Sequence, residues 1–154
     1  MFNGQVGAEY QNTEIENDGF WPNLNAGDFE KRRGVPMNLD KDSIAYSVAA
    51  AMAQINIELA GVKTVYIEAG TETAAEVAGQ PTIGVKNLLV ILYEKAVFAR
   101  AKSELLPEYA TTQMKDAGEN VAVSQADMRD QLLAESQQHI RAIKGNGRVG
   151  VALL

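Results

Sequence analysis

Three stretches of this chain repeat apolar side chains at helical spacing. In the first, Ile44, Val48, Met52, Ile55, Leu59 and Val62 recur at steps of four, four, three, four and three. That is one stripe of an amphipathic helix. Asp40 or Asp42 can cap its start. Ala49, Ala50, Ala51 and Ala53 raise helix propensity and let a neighbouring element approach closely. Gly61 and the β-branched Val62, Thr64, Val65 and Ile67 weaken its end, which the pattern places between Ala60 and Ala69, before Gly70. A Gly/Thr/Ala-rich connection over 70–84 leads to the second helix. Val85, Leu88, Leu89, Leu92, Ala96 and Ala99 make its inward face, and Val90 and Ile91 widen the apolar surface, as expected of a central helix buried on more than one side. Pro107 predicts a break or kink near Leu106. The polar stretch Thr111 to Ala122 then separates it from a third helix. Ser124 caps that helix with Asp127 three residues on, Met128, Leu132, Ser136 or Gln137, Ile140 and Ile143 keep the period, Arg141 and Lys144 suit the last turn, and Gly145 stops it.

The flanks read differently. A short helix over Asp28 to Arg33 is ended by Gly34 and Pro36, with Lys31-Arg32-Arg33 read as a solvated face beside Glu30. Residues 1–19 are rich in Gly, Asn, Gln and Glu and have few large apolar groups, so they read as an arm, flexible in isolation. Phe20-Trp21-Pro22 follows, where Pro22 disfavours helix at Trp21. These two rings either seal the core or meet a partner. After Gly145-Asn146-Gly147, the residues Val149, Val151 and Leu153 alternate as in a half-buried strand. A buried strand needs partners for its backbone, and no convincing second strand is visible, so Arg148–Leu154 is either disordered or completed by another molecule. The pattern therefore predicts a mainly α chain. It is a small helical bundle of three long helices plus a short N-terminal helix, divided into an extended acidic arm (1–19), a bundle (20–145) and a strand-like C-terminal tail (146–154). No repeat of 20–50 residues is visible.

Composition narrows the class. The 154 residues, 46% of them hydrophobic, suit one domain with a real core. No apolar run is long enough for a membrane helix, the start does not resemble a signal peptide, and the absence of cysteine excludes disulfides and thiolate metal sites. A net charge of −6 argues against broad nucleic-acid binding. Its distribution matters more. Glu9, Glu14, Glu16 and Asp18 make the front acidic, and Arg141, Lys144 and Arg148 make the end basic. Either both are solvated surfaces, or they are complementary between copies and steer assembly.

The candidate chemistry is thin. Gly79-Gln80-Pro81-Thr82-Ile83-Gly84-Val85-Lys86 resembles a phosphate-binding loop, but its lysine is one place late, no Ser or Thr follows, no hydrophobic strand precedes, and Pro81 removes a backbone donor. A turn ahead of a helix is the better reading. His139 is the single histidine, and Glu135 four residues before it makes a surface pair, since zinc needs three or four ligands. Ser124 and Ser136 lack a base and an orienting group, and Glu14 and Glu16 lie in the arm. No catalysis, cofactor or metal is predicted.

Four blocks carry a resemblance. They are Phe20-Trp21-Pro22, Tyr93-Glu94-Lys95-Ala96-Val97, Leu105 to Tyr109, and Ile140-Arg141-Ala142-Ile143-Lys144-Gly145 running into Arg148-Val149. In that order, over residues 20–154, the chain resembles the head-completion proteins of contractile-tailed phages, the gpL family. The resemblance implies a structural adaptor of the virion neck, present in the host cytoplasm during assembly. It implies a ring, expected to be twelvefold, that forms beneath the portal protein, seals the packaged head and offers a docking surface to the next neck or tail-terminator protein. The partners implied are the portal protein, neighbouring copies and that next protein, with no membrane, and with packaged DNA passing through without specific binding, as an acidic lining allows. The partner-contact candidates are Phe20, Trp21, Arg148, Val149, Val151, Leu153 and Leu154. A generic helical interaction module or regulator is the alternative, and a bundle enzyme or ligand carrier ranks last.

Overall fold

The computed structural model describes residues 9–145, and only the backbone over 110–123. In chain order it holds β1 (Glu14–Ile15), β2 (Leu24–Asn25), α1 (Ala26–Arg33), α2 (Lys41–Glu58), α3 (Ala60–Glu68), a 3-10 turn at Ala74–Glu76, β3 (Thr82–Ile83), β4 (Lys86–Asn87) and α4 (Leu88–Ile143). The mainly α reading holds. The described residues also contain four two-residue strands where the sequence suggested none. They form two antiparallel ladders, β1 with β2 and β3 with β4.

Local chemistry sets the helix ends. Asn25 caps α1 by accepting from the Gly27 N–H, and Gly34 ends it with φ 60°, a left-handed turn that glycine adopts without penalty. Of the two candidates for α2, Asp40 is the cap, accepting from the Ser43 N–H at 2.9 Å. Asn87 caps α4, where its Oδ1 accepts from Val90. Its Nδ2 donates to the carbonyls of Ala74 and Val77, which ties the 3-10 turn to the helix start. The inward face of α4 therefore starts after the cap. Val85, expected to face inward, is 95% exposed, because it occupies the tip of the β3–β4 hairpin.

The first apolar stripe is buried as expected at Ile44, Val48, Met52, Ile55 and Leu59, with Val62 half-buried against the core. One helix was expected there. The backbone instead departs from helical geometry at Leu59 and resumes as α3, in which no residue is fully buried.

The largest difference concerns α4. The helix as assigned spans Leu88–Ile143 and includes both Pro107 and the stretch Thr111–Ala122, where the sequence suggested a break and a separating segment, although Pro107 cannot donate to the carbonyl of Ser103. Yet Ser136 Oγ donates to the Ala96 carbonyl at 2.9 Å. Forty residues of straight helix would hold those groups about 60 Å apart. Arg33 likewise reaches both the Lys95 carbonyl and Glu135. So α4 doubles back between Ala96 and Ser136, an interval that contains the polar stretch. Its two limbs lie antiparallel, and with α2 they make the three long members of the bundle.

The core lies between α2 and both limbs, with Leu132, Ile140 and Ile143 contributed by the second. Trp21 stacks on Tyr93 with centroids 4.9 Å apart, and Phe20 meets Trp21 edge-on. Both rings are at most 3% exposed. The arm from Gln11 to Gly19 is held mainly by polar side chains. Gln11 bonds both oxygens of buried Glu30. The Asn17 side chain joins Pro22, Tyr93 and Asn56. Asp18 accepts from the N–H groups of Phe20 and Trp21. The arm passes so close to α1 that a Cβ on Gly27 would lie 1.8 Å from the Gln11 carbonyl oxygen, so only glycine fits there.

Two measurements test this description. Spin labels at Lys95→Cys and Gln138→Cys, both exposed, should lie about 20 Å apart or less, as packed helices require. A straight α4 would separate them by about 65 Å, and that value would refute the reversal. Trp21→Ala should cost about 3–5 kcal/mol in urea unfolding, the usual range for emptying a buried aromatic site.

Candidate assembly face

The side of α2 away from the core is also apolar. Tyr46, Ala50, Ala53 and Ile57 recur at steps of four, three and four, half a turn from the buried stripe. Tyr46 is 71% and Ile57 77% exposed, and α3 adds exposed Val65 and Ile67. From Ser43 to Ile67 only Glu58 and Lys63 carry charge, and both are drawn into the chain's own ion pairs. Glu58 binds Arg100 and accepts from Gln137 at 3.1 Å. Lys63 binds Asp18 at 3.0 Å. Isolated exposed apolar residues are ordinary. An uncharged run along two consecutive helices is the kind of surface that marks an interaction site. The sequence reading found one stripe on α2 and assigned Ala50 and Ala53 to helix propensity and to the close approach of a neighbouring element, not to a second stripe. The second stripe was legible in the spacing from Tyr46 to Ile57.

Charged side chains close the seams between the elements. Arg33 forms a two-pronged pair with Glu135, which also meets His139 at 3.3 Å. Arg32 and Lys86 converge on buried Glu94 at 2.9 and 3.2 Å. The basic cluster Lys31-Arg32-Arg33 is thus not simply a solvated face. Two of its three members tie α1 to the two limbs of α4, because the reversal brings Glu94 and Glu135 to the same side of α1. The loop that resembles a phosphate site is the β3–β4 hairpin. Gly84 has φ 61° and no described non-glycine residue has positive φ, the pattern of a two-residue hairpin turn with glycine first. A cleft of about 270 Å³ is lined by Glu14, Leu24, Asp28, Lys86, Val90 and Glu94, among others. Lys86 and Glu94 are paired with each other there. No group of three or more His, Asp or Glu side chains among the described residues could hold a metal ion.

Phe20 and Trp21, candidates for partner contact, lie inside the chain's own core, and their burial supports the sealing role. Arg148, Val149, Val151, Leu153 and Leu154 lie outside the described residues. The first limb of α4 runs antiparallel to α2, pairing Gln54 with Glu104 and Glu58 with Arg100. The second limb therefore runs parallel to α2. It meets Glu58 through Gln137 at 3.1 Å.

A family model described as phage head completion protein (GPL) matches residues 15–154. The chain belongs to that family. The match begins at Ile15, inside β1, so it takes in the strand that pairs with Leu24 as well as the bundle. This head completion protein is 35% identical, over 154 residues and the full length of both chains, to a probable head completion/stabilization protein of Haemophilus phage HP1 (strain HP1c1). No solved structure matches it. The family's description, phage head completion, is a structural role in the virion, and no helix among the described residues is long and apolar enough to cross a membrane.

The ion pairs of Glu58 and Glu135 predict a response to acid. Burial opposes ionisation of Glu58, but hydrogen bonds from Arg100 and Gln137 and the charges of Arg100 and Lys144 outweigh it and hold its pKa below the usual range. For Glu135 the Arg33 hydrogen bond is the largest influence, and it lowers the pKa against a smaller effect of burial. A carboxylate with a lowered pKa in the fold stabilises the fold above its unfolded value, about 4.3 for Glu, and loses that contribution as pH falls through the folded value. The urea midpoint should therefore hold down to about pH 5 and fall below it. Glu135→Gln should be less stable at pH 7 and show a shallower acid decline. An unchanged slope would remove Glu135 from the acid response.

Proposed function

We propose that this protein is a head-completion adaptor of the virion neck. It forms a ring beneath the portal after packaging, seals the head and presents the docking surface for the next neck or tail protein. Family membership across 15–154 carries this reading, together with the full-length relative whose description is head completion/stabilization. The surface supports it. A self-sufficient monomer rarely leaves an uncharged apolar run of this length in water, whereas a subunit that meets its neighbours head to tail needs one. The contact segment is 146–154, with Arg148, Val149, Val151, Leu153 and Leu154 reaching a neighbouring copy or the portal in the assembled neck. An extended segment joining another molecule's sheet edge satisfies its backbone groups by strand addition. The body's net negative charge suits a passage that DNA slides through without being held.

Deleting Val149–Leu154 should leave the helical circular dichroism unchanged and abolish attachment to portal-bearing heads. Filled, tail-competent heads made with the truncated protein would show that the segment is not the contact. Native mass measurement of the complex with portal should give a ring of copies, and one or two copies per portal would instead favour a simple helical binding module.

A further inference from the structure

We propose that the tip of the β3–β4 hairpin of one copy docks on the outer face of α2 and α3 of the next, and that this contact repeats from copy to copy. The proposal deepens the adaptor reading and rests on it only for the ring that the contact builds.

Six of the eight large apolar side chains that stand exposed among the described residues fall into two patches. Tyr46, Ile57, Val65 and Ile67 belong to the outer face, and Ile83 and Val85, 75% and 95% exposed, crown the hairpin. At that exposure the tip covers nothing in its own chain. It is also held in place. The Leu88 N–H donates to the Pro81 carbonyl at 2.8 Å, and Asn87, at the base of the hairpin, donates to the carbonyls of Ala74 and Val77. The hairpin is thus carried by the start of α4. That helix packs on the buried stripe of α2, whereas the outer face lies half a turn away from the stripe. Two different patches that do not meet within one molecule make a heterologous contact between molecules, which propagates head to tail and closes into a ring where the rotation permits.

Charge and shape agree. Pro81 to Val85 are all exposed and uncharged, and the charges beside the face, Glu58 and Lys63, are held by Arg100 and Asp18. Docking therefore strands no unpaired charge, which would be costly. Along α2, the exposed Ala50 and Ala53 stand between Tyr46 and Ile57, so the middle of the stripe is lower than its ends. Tyr46 to Ile57 measures about 16 Å along the helix, and the two strands of a hairpin lie about 5 Å apart, so the tip fits between the larger side chains. A second copy is favoured over the portal as occupant because the chain itself carries the matching tip. Area then sets the strength. A stable interface takes about 800 Å² and about 20–30 residues from each partner, and a tip of five exposed residues supplies far less. Two free copies separate readily. Copies gathered on one portal are held at high effective concentration, where weak contacts suffice. The small area thus keeps rings from forming before a portal is present.

Because the chain has no cysteine, introduced pairs report the contact directly. Full chains carrying both Ala53→Cys and Val85→Cys, bound to portal and oxidised, should link into ladders of copies about tenfold or more faster than chains carrying Met128→Cys and Val85→Cys. Closure within single chains, or equal rates for the two pairs, would overturn the contact. Complementation tests it without the portal. Ile57 and Val85 are exposed, so Ile57→Lys and Val85→Lys should each leave the helical circular dichroism unchanged. In sedimentation at high protein concentration the native chain should form open-ended oligomers, and each variant alone should stay monomeric. An equimolar mixture of the two should give dimers and nothing larger, because one intact tip then meets one intact face. A mixture that stays monomeric, or a native chain that stops at dimers, would overturn the contact. So would loss of portal attachment by Ile57→Lys with normal attachment by Val85→Lys, which would give the face to the portal. Portal attachment without complementation would sink the contact and leave the adaptor role standing. Complementation in a protein that never attaches to portal-bearing heads would do the reverse.

Discussion

The doubling back of α4 sets the other relations in the body. A 56-residue helix left straight would span about 84 Å and could cover α2 with only one side. Folded, it gives α2 two neighbours. That geometry requires small groups where the limbs meet. Ala96 offers a bare carbonyl to Ser136, and Ala99 and Ala101 are fully buried nearby along the first limb. Larger side chains at the meeting of the limbs would push them apart, and helices approach within about 8–10 Å only where their contact residues allow it. The reversal also explains why Arg33 can touch Lys95 and Glu135 at once, and why Glu58 can meet both Arg100 and Gln137.

The ion pairs sit where the reversal creates seams, and their value lies in alignment more than in net stability. Glu94 is 3% exposed and collects two cations, and Glu30 is 1% exposed and is met by Gln11 and Lys41. Desolvating such carboxylates offsets much of the attraction they gain. An unpaired Glu94 or Glu30 would cost several kcal/mol, so each admits only arrangements that supply its partners. A slip of one helical turn between α1 and α4 would strand Glu94 or Glu135. The polar groups thus specify one alignment among several that the aliphatic core alone would tolerate. The arm follows the same logic, since Gln11 and Asn17 give it order through hydrogen bonds where its own apolar content is small.

Much of this was legible in the sequence. The stripe on α2, the cap at Asp40 and the stop at Gly34 follow from local spacing and local chemistry, whereas sealing and partner contact both remained open for Phe20-Trp21. The two limbs of α4 were also legible as helices, with the polar stretch between them. Helical backbone through Pro107 was not, because proline's local cost is overridden when Leu105, Leu106 and Tyr109 on either side of it are buried. Nor were the partners of Arg32 and Arg33, which come from residues about 62 and 102 positions away. No local pattern encodes such a separation. The outer face was missed for a different reason. Alanine is both the best helix former and a small apolar contact, so Ala50 and Ala53 are ambiguous until Tyr46 and Ile57 are placed on the same side.

The composition of that outer face is itself an argument about assembly. In α3, Val62, Thr64, Val65 and Ile67 are β-branched, each weaker as a helix former than Lys, Glu or Gln by a few tenths of a kcal/mol. Thr64 turns its hydroxyl back to the Ala60 carbonyl, which slightly destabilises and often bends a helix. Val62 and Tyr66 gain packing against the core in return. Val65 and Ile67 gain less, because they are exposed and neither belongs to the core. On the monomer's terms, polar substitution at Val65, Ile67, Ile57 and Tyr46 would be neutral or favourable to stability and better for solubility. The physical return on these residues therefore comes from burial that the isolated, described body does not provide. A subunit of a larger structure receives that return when its surface is covered.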